Sequence, residues 1–393
     1  MKRTRFLLQI TLLIALLPLA TSLNAQTPSS VEAALKPVLD SLCEAAGYPG
    51  ATFSVILPDG EAIEIAYGYA DLEAKTPMPT DGRMFSGSTG KTYVSAIAMQ
   101  LIDEGKLDVD NLVSSYFGDE EWYTPLPNSS SMKVKHLLTH TSGLPRYVFK
   151  PSFWETFNKN RMRNYPPSEL LGFVAGDEPV HAPGEGWGYS DTGYLLIGLI
   201  IEKITGNAYY DEVQNRIFKP FKLNSTSPST TRKFPGLVQG YTGDHVAPYD
   251  LPPKVVENGL YIYHPEFEYT GGGVVSNSPD LARWTKLLYE GKVFSQERLK
   301  ELLQPMGFRT GKPAESGYGY GVFVYKTQKG PAYGHSGFFF GYETELLYLP
   351  DIKCALALQV NADQTSGKIK MPTMRALMEM VKVLREVMEG GGS

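Results

Sequence analysis

Apolar side chains recur at two different spacings along this chain, and the change of spacing predicts where helices give way to strands. Residues 29–46 place apolar side chains three or four positions apart, which predicts an amphipathic helix. The segments ATFSVIL (51–57) and EAIEIAYGYA (61–70) alternate in polarity around a Pro-Asp-Gly turn, which predicts a β-hairpin. A second apolar stripe after Lys91 predicts a long helix that ends at Gly105.

The rest of the chain divides into an irregular middle and a strand-rich end. From about residue 110 to 270, Pro, Asn and aromatic residues are frequent, and one helix is clear, at 192–205. The helices predicted beyond the three glycines at 271–273 run from a cap at Ser278 to Gly291, from about Ser295, and over 371–388. The strands predicted between the last two of these helices are 319–326, 331–337, 342–349 and 354–361.

Strands at both ends of the chain, with helices between them, indicate an α+β fold. We predict one antiparallel sheet built from both chain ends, flanked by helices, with a mainly helical inserted lobe. The expected boundaries are an α/β lobe of about 26–85 and 271–388, a helical lobe of about 86–270, and a flexible tail at 389–393. The two lobes form a single domain, and active sites favour the cleft between such lobes.

The first 25 residues have the three parts of a secretory signal peptide. A basic start, MKRTR, precedes the apolar run FLLQITLLIALLPLA, and Leu23-Asn24-Ala25 is the expected cleavage site. The apolar run is about 15 residues long and is interrupted by Pro18 and polar residues, so it is too short for a stable membrane anchor. No Cys follows the cleavage site, so a lipoprotein has no support. We therefore expect a periplasmic or secreted protein.

Charge and cysteine content exclude several classes of partner. Without residues 1–25 the chain has 34 basic and 42 acidic residues and no basic cluster, which argues against nucleic acid or an anionic membrane surface as a partner. Six scattered His and two Cys do not make a metal site. Export allows a disulfide between Cys43 and Cys354, but two buried free thiols are the favoured interpretation.

The stretch FSGSTGKTYVSA (85–96) has two chemical interpretations. Gly-Lys-Thr at 90–92 resembles the end of a phosphate-binding loop, but Phe85 stands where that loop needs a glycine. Alternatively, Ser88 begins a helix with Lys91 one turn later on the same face, as a nucleophile and its partner would. On this stretch alone, a capping Ser88 and a solvated Lys91 are the favoured interpretation.

Five further stretches change that balance. In chain order the six motifs are GYAD (68–71), MFSGSTGK (84–91), LLTHTSGLP (137–145), WGYSDTGYLLIG (187–198), TGGG (270–273) and YGHSGFFFGYE (333–343). Their order and character resemble the penicillin-recognising serine hydrolases, which comprise class C β-lactamases, DD-peptidases, D-aminopeptidases and related esterases. Each motif is weak alone, but six in family order are specific. The resemblance spans essentially the whole chain after residue 25 and implies a three-layer α/β sandwich of the β-lactamase/transpeptidase type.

The resemblance assigns a role to each matching position. Ser88 matches the acylated nucleophile, and Lys91 matches its partner in the Ser-x-x-Lys motif. Tyr189 matches the tyrosine that shuttles protons between the serine and the leaving group. His335-Ser336-Gly337 matches the Lys-Thr-Gly strand motif that binds the edge of the substrate. The backbone N–H of Phe338 would be the second oxyanion donor, beside that of Ser88.

Two positions depart from the family pattern. Asp191 stands where the family usually has Asn, and an ionised carboxylate cannot donate to a substrate carbonyl. Asp191 near Lys91 would also raise the lysine pKa, which shifts the proton transfer to Tyr189. His335 replaces the usual Lys, and we expect an ordinary imidazole pKa near 6.5 and a weak hold on a substrate carboxylate.

Two other serine–histidine patterns do not support a catalytic interpretation. Gly334-His335-Ser336-Gly337 looks like the nucleophile elbow of α/β-hydrolases, but the final glycine is replaced by Phe338 and no His follows His335. In LLTHTSGLP, His140 and Ser142 lack a nearby acid to orient the histidine, so a structural turn against the floor of the site is expected. The remaining histidines, expected to be structural or solvated, are His136, His181, His245 and His264.

These expectations describe an exported serine hydrolase that works without a metal or cofactor. Its substrate would be a small molecule or peptide, namely a small ester or an amide such as a D-amino-acid peptide, with β-lactam turnover less favoured. The alternative is a penicillin-binding sensor or degenerate relative that is acylated without turnover. Asp191 is the residue that keeps this alternative open.

Overall fold

The structure is a computed structural model that describes residues 28–390 of the chain. The predicted signal peptide at 1–25 lies outside the described residues, and so do residues 391–393 of the predicted tail. The last helix continues to Gly390, two residues beyond its predicted end, so the tail begins later than expected. No helix in the described part of the chain is long and apolar enough to cross a membrane.

One large antiparallel sheet organises the fold. In chain order, the strands of residues 28–390 are β1 (Gly50–Ile56), β2 (Ala62–Asp71), β3 (Thr76–Pro77), β4 (Met84–Phe85), β5 (Ser227–Pro228), β6 (Val256–Glu257), β7 (Leu260–Tyr261), β8 (Val274–Ser276), β9 (Gly317–Tyr318), β10 (Phe323–Thr327), β11 (Gly330–Phe339), β12 (Tyr342–Leu349) and β13 (Cys354–Val360). Eight of them form the sheet in the order β3-β2-β1-β13-β12-β11-β10-β9. The first strand therefore pairs with the last, with Ala51 opposite Val360. This confirms the predicted antiparallel sheet built from both chain ends.

Helices occupy the chain ends and the long middle section. They are α1 (Pro28–Ala46), α2 (Lys91–Asp103), α3 (Ser114–Phe117), α4 (Val134–Leu138), α5 (Pro151–Lys159), α6 (Pro167–Gly172), α7 (Asp191–Thr205), α8 (Tyr209–Val213), α9 (Ser278–Tyr289), α10 (Gln296–Leu302) and α11 (Thr373–Gly390). The sequence predicted six of these helices, and the structure confirms them within a few residues: α1, α2, α7, α9, α10 and α11. The middle section is partly helical, as predicted, and adds short helices whose positions its composition did not reveal.

The helices cover both faces of the sheet, which produces three layers. On one face, α1 and α11 pack together and bury Leu39 and Leu377 in a core with Phe53 of β1. On the other face, α9 packs on β1 and β13, and the apolar side chains of α2, α5 and α7 join the same core. Because both faces are covered, β1, β12 and β13 are buried along their whole length. Cys43 and Cys354 are buried free thiols in the core between the sheet and the α1–α11 pair.

Two predicted boundaries were wrong for local reasons. The strand predicted at 319–326 begins only at Phe323, as β10, because residues 319–322 form the loop that follows β9, where Gly321 adopts the left-handed φ of +74°. The cap of α9 is Asn277 instead of Ser278, since the Asn277 side chain accepts the backbone N–H of Asp280 at 3.0 Å.

Candidate active site

Ser88 lies in one 3₁₀ turn, Gly87–Gly90, that leads directly into α2 and is wedged between two backbone segments. A Cβ on Gly87 would lie 2.4 Å from the carbonyl oxygen of Phe338 and 2.6 Å from its nitrogen, and Gly87 has a left-handed φ of +51°. A Cβ on Gly90 would lie 1.8 Å from the carbonyl oxygen of Gly272. Only glycine at these two positions lets the turn sit so close to β11 and to the TGGG segment.

Lys91 is completely buried and uses all three of its donors. Its Nζ lies 2.8 Å from Asp191 Oδ1 and 3.2 Å from Ser88 Oγ, and it also donates to the carbonyl oxygen of Gly271. Burial lowers the pKa of Lys91, but Asp191 and Tyr189 outweigh burial, so the net pKa is raised above its ordinary value. This confirms the predicted rise of the Lys91 pKa. The solvated lysine favoured by the 85–96 stretch alone is wrong.

Asp191 joins Lys91 to a second cation that the motifs did not reveal. Its Oδ2 accepts from Arg146 Nε at 2.9 Å and from Arg146 Nη2 at 2.7 Å. Burial alone would raise the pKa of Asp191, but Arg146 and Lys91 hold it well below its usual range. The carboxylate is therefore ionised and serves two cations, and it has no proton to donate to a substrate. Arg146 directly follows LLTHTSGLP, which is the one sequence signal that could have pointed to it.

Tyr189 places its ring beside the Lys91 ammonium, 4.8 Å from Nζ to the ring centroid. Its buried hydroxyl makes no hydrogen bond of standard geometry within residues 28–390, but it lies close enough to Lys91 and Ser88 for both to lower its pKa. Burial raises the pKa of Tyr189, and Lys91 offsets that rise only in part, so the group is a neutral phenol near neutral pH. The His140 ring packs on Tyr189 at 4.0 Å between centroids, and its Nδ1 accepts the N–H of Ser190, as a structural turn requires.

The polar side chains of the strand motif His335-Ser336-Gly337 form hydrogen bonds within the protein. His335 is fully buried: its Nδ1 donates to the carbonyl oxygen of Ser336 at 2.6 Å, and its Nε2 accepts from the Tyr318 hydroxyl at 2.8 Å. Burial lowers the pKa of His335 to about 3, so the expected value near 6.5 is wrong. The Ser336 hydroxyl donates to Glu345 Oε2 at 2.6 Å. Substrate binding by this motif, including Gly337, stays a prediction.

Ser88 opens into a small cavity of about 120 Å³. Asp191, Arg146 and Glu268 supply its charged groups, and aromatic residues supply most of its wall. Burial raises the pKa of Glu268 to about 8, in spite of the nearby Lys91. A larger groove of about 620 Å³ lies between α11 and strands β10–β12 and contains none of these residues, so it is separate from this chemistry.

The fold and these residues define a class: serine hydrolases of the β-lactamase and transpeptidase type. A model of the beta-lactamase family matches residues 32–377, and the chain belongs to that family. It is 28% identical over 306 residues to penicillin-binding protein 4* of Bacillus subtilis, which covers 76% of this chain and 65% of the relative. The chain spans about half to two thirds of the length of the first curated relatives that it matches.

Solved structures extend the similarity to amide hydrolases. A D-stereospecific amidohydrolase from Streptomyces superimposes with a TM-score of 0.75 and 26% identity, over 88% of this chain and 97% of that one. The D-amino acid amidase of Ochrobactrum anthropi, in complex with L-phenylalanine amide, gives a TM-score of 0.73 and 25% identity, over 92% and 99% of the two chains. These findings confirm the family resemblance and the fold class.

The ion network predicts a large stability loss on Asp191→Asn. The substitution would leave Lys91 and Arg146 without their carboxylate, and an unpaired buried charge costs about 3–5 kcal/mol. Urea denaturation at pH 7 measures the loss. Because the pKa of Asp191 is below its unfolded value, the contribution is present above about pH 4 and disappears as the pH falls through the native pKa.

The surface offers a matched control for this prediction. Asp110 also contacts two cations, Lys133 and Lys135, but the side chain of Asp110 is 57% exposed. Asp110→Asn should therefore cost no more than about 1 kcal/mol. Similar small losses for both variants would mean that the Lys91–Asp191–Arg146 network does not carry the stability assigned to it.

Proposed function

We propose that this protein hydrolyses a small amide or ester through an acyl-enzyme on Ser88. The observation that carries the proposal is the contact between Lys91 and the Ser88 hydroxyl. Lys91 is buried and makes three hydrogen bonds, and Ser88 lies just before α2 and lines a cavity. An ammonium at this position favours the developing negative charge on Oγ, and the start of α2 adds a favourable dipole.

Proton transfer falls to Tyr189 in this proposal. Lys91 has no free lone pair while it is an ammonium, so it cannot take the proton of Ser88. In acylation, Ser88 Oγ bonds to the substrate carbonyl carbon and its proton passes to the Tyr189 oxygen, while the phenol proton passes to the departing amine or alcohol. In deacylation, water bonds to the same carbon and gives a proton to the Tyr189 oxygen, while the phenol proton passes to Ser88 Oγ. The bond between Oγ and the carbonyl carbon breaks, which releases the acid and restores Ser88.

The close approach of Gly87 to β11 supports the oxyanion donors. The tetrahedral intermediate places negative charge on the former carbonyl oxygen, and the backbone N–H groups of Ser88 and Phe338 would stabilise it. Gly87 brings the backbone of the nucleophile turn against the backbone nitrogen of Phe338, where a side chain would clash. The edge of the substrate would then lie along His335-Ser336-Gly337, as the resemblance implies.

The proposed substrate is a compact acyl derivative, and a D-amino-acid amide or peptide is the leading candidate. The small, aromatic-walled cavity suits one acyl group, and the family contains penicillin-binding proteins and D-amino acid amidases. β-Lactam turnover is less favoured, because Asp191 cannot supply the amide donor that stands at this position elsewhere in the family. We also propose that the protein is exported after cleavage at Ala25, and that the site lies between an α/β lobe and a helical lobe.

The first test of this function is Ser88→Ala. Removing the nucleophile should lower turnover by at least ~10³-fold and abolish labelling by a fluorophosphonate, which intact-protein mass spectrometry detects. The control is Ser336→Ala, because Ser336 is the nucleophile of the rejected elbow interpretation. Labelling retained in Ser88→Ala and lost in Ser336→Ala would refute the proposal. A stable wild-type adduct with no turnover of p-nitrophenyl esters, D-amino-acid amides or nitrocefin would instead indicate the acylated sensor.

The second test is Tyr189→Phe, which keeps the ring and removes the proton relay. We expect a loss of roughly 10²–10⁴ in kcat. Tyr194 provides the control, since its ring also lies near Lys91, at 5.4 Å from Nζ, but its hydroxyl donates to the carbonyl oxygen of Leu138. Tyr194→Phe should change kcat much less. A loss below about threefold in Tyr189→Phe on every substrate would assign the proton transfer to Lys91.

A further inference from the structure

Glu268 is the one carboxyl group of the Ser88 cavity that the proposed mechanism does not use. It lies in the 3₁₀ segment Pro265–Gly271, and its Oε2 accepts the backbone N–H of Gly273 at 3.1 Å. Its Oε1 has no hydrogen-bond partner within residues 28–390. The carboxyl group packs directly over Gly272, where an added Cβ would lie 2.4 Å from Oε1. One oxygen is thus fixed in place and the other has no hydrogen bond, while the residue as a whole lines the cavity.

The other charged groups around the cavity are already paired. Lys91 donates its three hydrogen bonds to Ser88, Asp191 and a backbone carbonyl. Arg146 donates from Nε and Nη2 to Asp191. Arg146 Nη1 is the cationic donor left among the lining residues. Apart from Arg146 Nη1, the ionisable group of the lining that keeps an unpaired polar atom is therefore the carboxyl group of Glu268.

Aromatic rings line the same cavity and add to its preference for a cation. Trp154 and Tyr249 lie 4.9 Å apart between centroids, and Tyr249 lies 4.8 Å from Phe340, so the three rings form a continuous wall. The face of an aromatic ring carries partial negative charge and attracts an ammonium group. A carboxyl group in such a wall matches a substrate ammonium better than a substrate carboxylate.

We propose that Glu268 selects acyl donors that carry a free ammonium group beside the scissile carbonyl, such as α-amino-acid amides. The proposal rests on the function proposed above and names the substrate class of that site. Burial raises the pKa of Glu268 to about 8, so its carboxyl group is largely protonated near neutral pH. A substrate ammonium beside it would favour the ionised carboxylate, and one proton would be released. Glu268 would then contact the substrate while Ser88 attacks the neighbouring carbonyl carbon.

The test compares two substrates of nearly equal shape. Alanine p-nitroanilide, as either enantiomer, carries the ammonium, and isobutyryl p-nitroanilide replaces it by a methyl group. At about pH 6.5, where the α-amine is charged, wild type should favour the better alanine enantiomer in kcat/KM by about tenfold or more. Glu268→Gln should bring that ratio to within about threefold of unity. Glutamine has the shape of the neutral acid and can still accept the Gly273 N–H, so the fold should persist.

Glu266 is the matched control, because it lies on the same segment, is also partly buried, and does not line the cavity. Glu266→Gln should keep the wild-type ratio. An unchanged ratio in Glu268→Gln, or a wild-type preference for the isobutyryl substrate, would overturn the inference. Fluorophosphonate labelling of Ser88 in each protein tests the proposed function separately, since that reaction needs no ammonium group.

A second measurement needs no variant. Propylammonium should inhibit wild-type hydrolysis of the isobutyryl substrate competitively, and 1-propanol at the same concentration should inhibit it much less. Equal inhibition by the two compounds would contradict an ammonium site. Stronger inhibition by propionate than by propylammonium would assign the site to Arg146 Nη1 and a carboxylate, and would also overturn the inference.

Discussion

Lys91 carries a positive charge in the interior of this protein, and the Asp191 carboxylate stabilises that charge. Moving an ammonium group out of water costs several kcal/mol unless a partner and hydrogen bonds replace the water. Asp191, the Gly271 carbonyl and the Ser88 hydroxyl provide that replacement, and Arg146 holds Asp191 from the far side. The network therefore fixes the start of α2, the start of α7 and the TGGG segment relative to one another.

The same network determines the chemistry that the site can perform. A lysine held as an ammonium stabilises negative charge but cannot accept a proton, and an ionised Asp191 cannot donate one. The hydroxyl of Tyr189 is then the group near Ser88 that can both accept and donate a proton. Close packing completes the geometry, because Gly87 and Gly90 let the turn that carries Ser88 touch β11 on one side and Gly272 on the other.

The sequence predicted the sheet, the long helices and the residues around Ser88, because each leaves a local signal. Period and turn residues marked β1, β2 and α2, and motif order identified Ser88, Lys91, Tyr189 and Asp191. The rest depends on contacts between distant segments. Arg146 meets Asp191 across 45 positions, and Glu268 enters the cavity from a stretch without a regular period. The low pKa of His335 follows from complete burial, which a strand motif alone does not reveal.

The central claim is that Lys91 is an ammonium in the resting enzyme, and its titration tests this most directly. Protein labelled with ¹⁵Nζ-lysine can be followed by NMR from about pH 6 to 11, with the Lys91 signal assigned by its absence in Lys91→Gln. We expect this nitrogen to stay protonated up to and above the ordinary lysine pKa of 10.5. A Lys91 that loses its proton near or below pH 8 would contradict the account and make lysine the base.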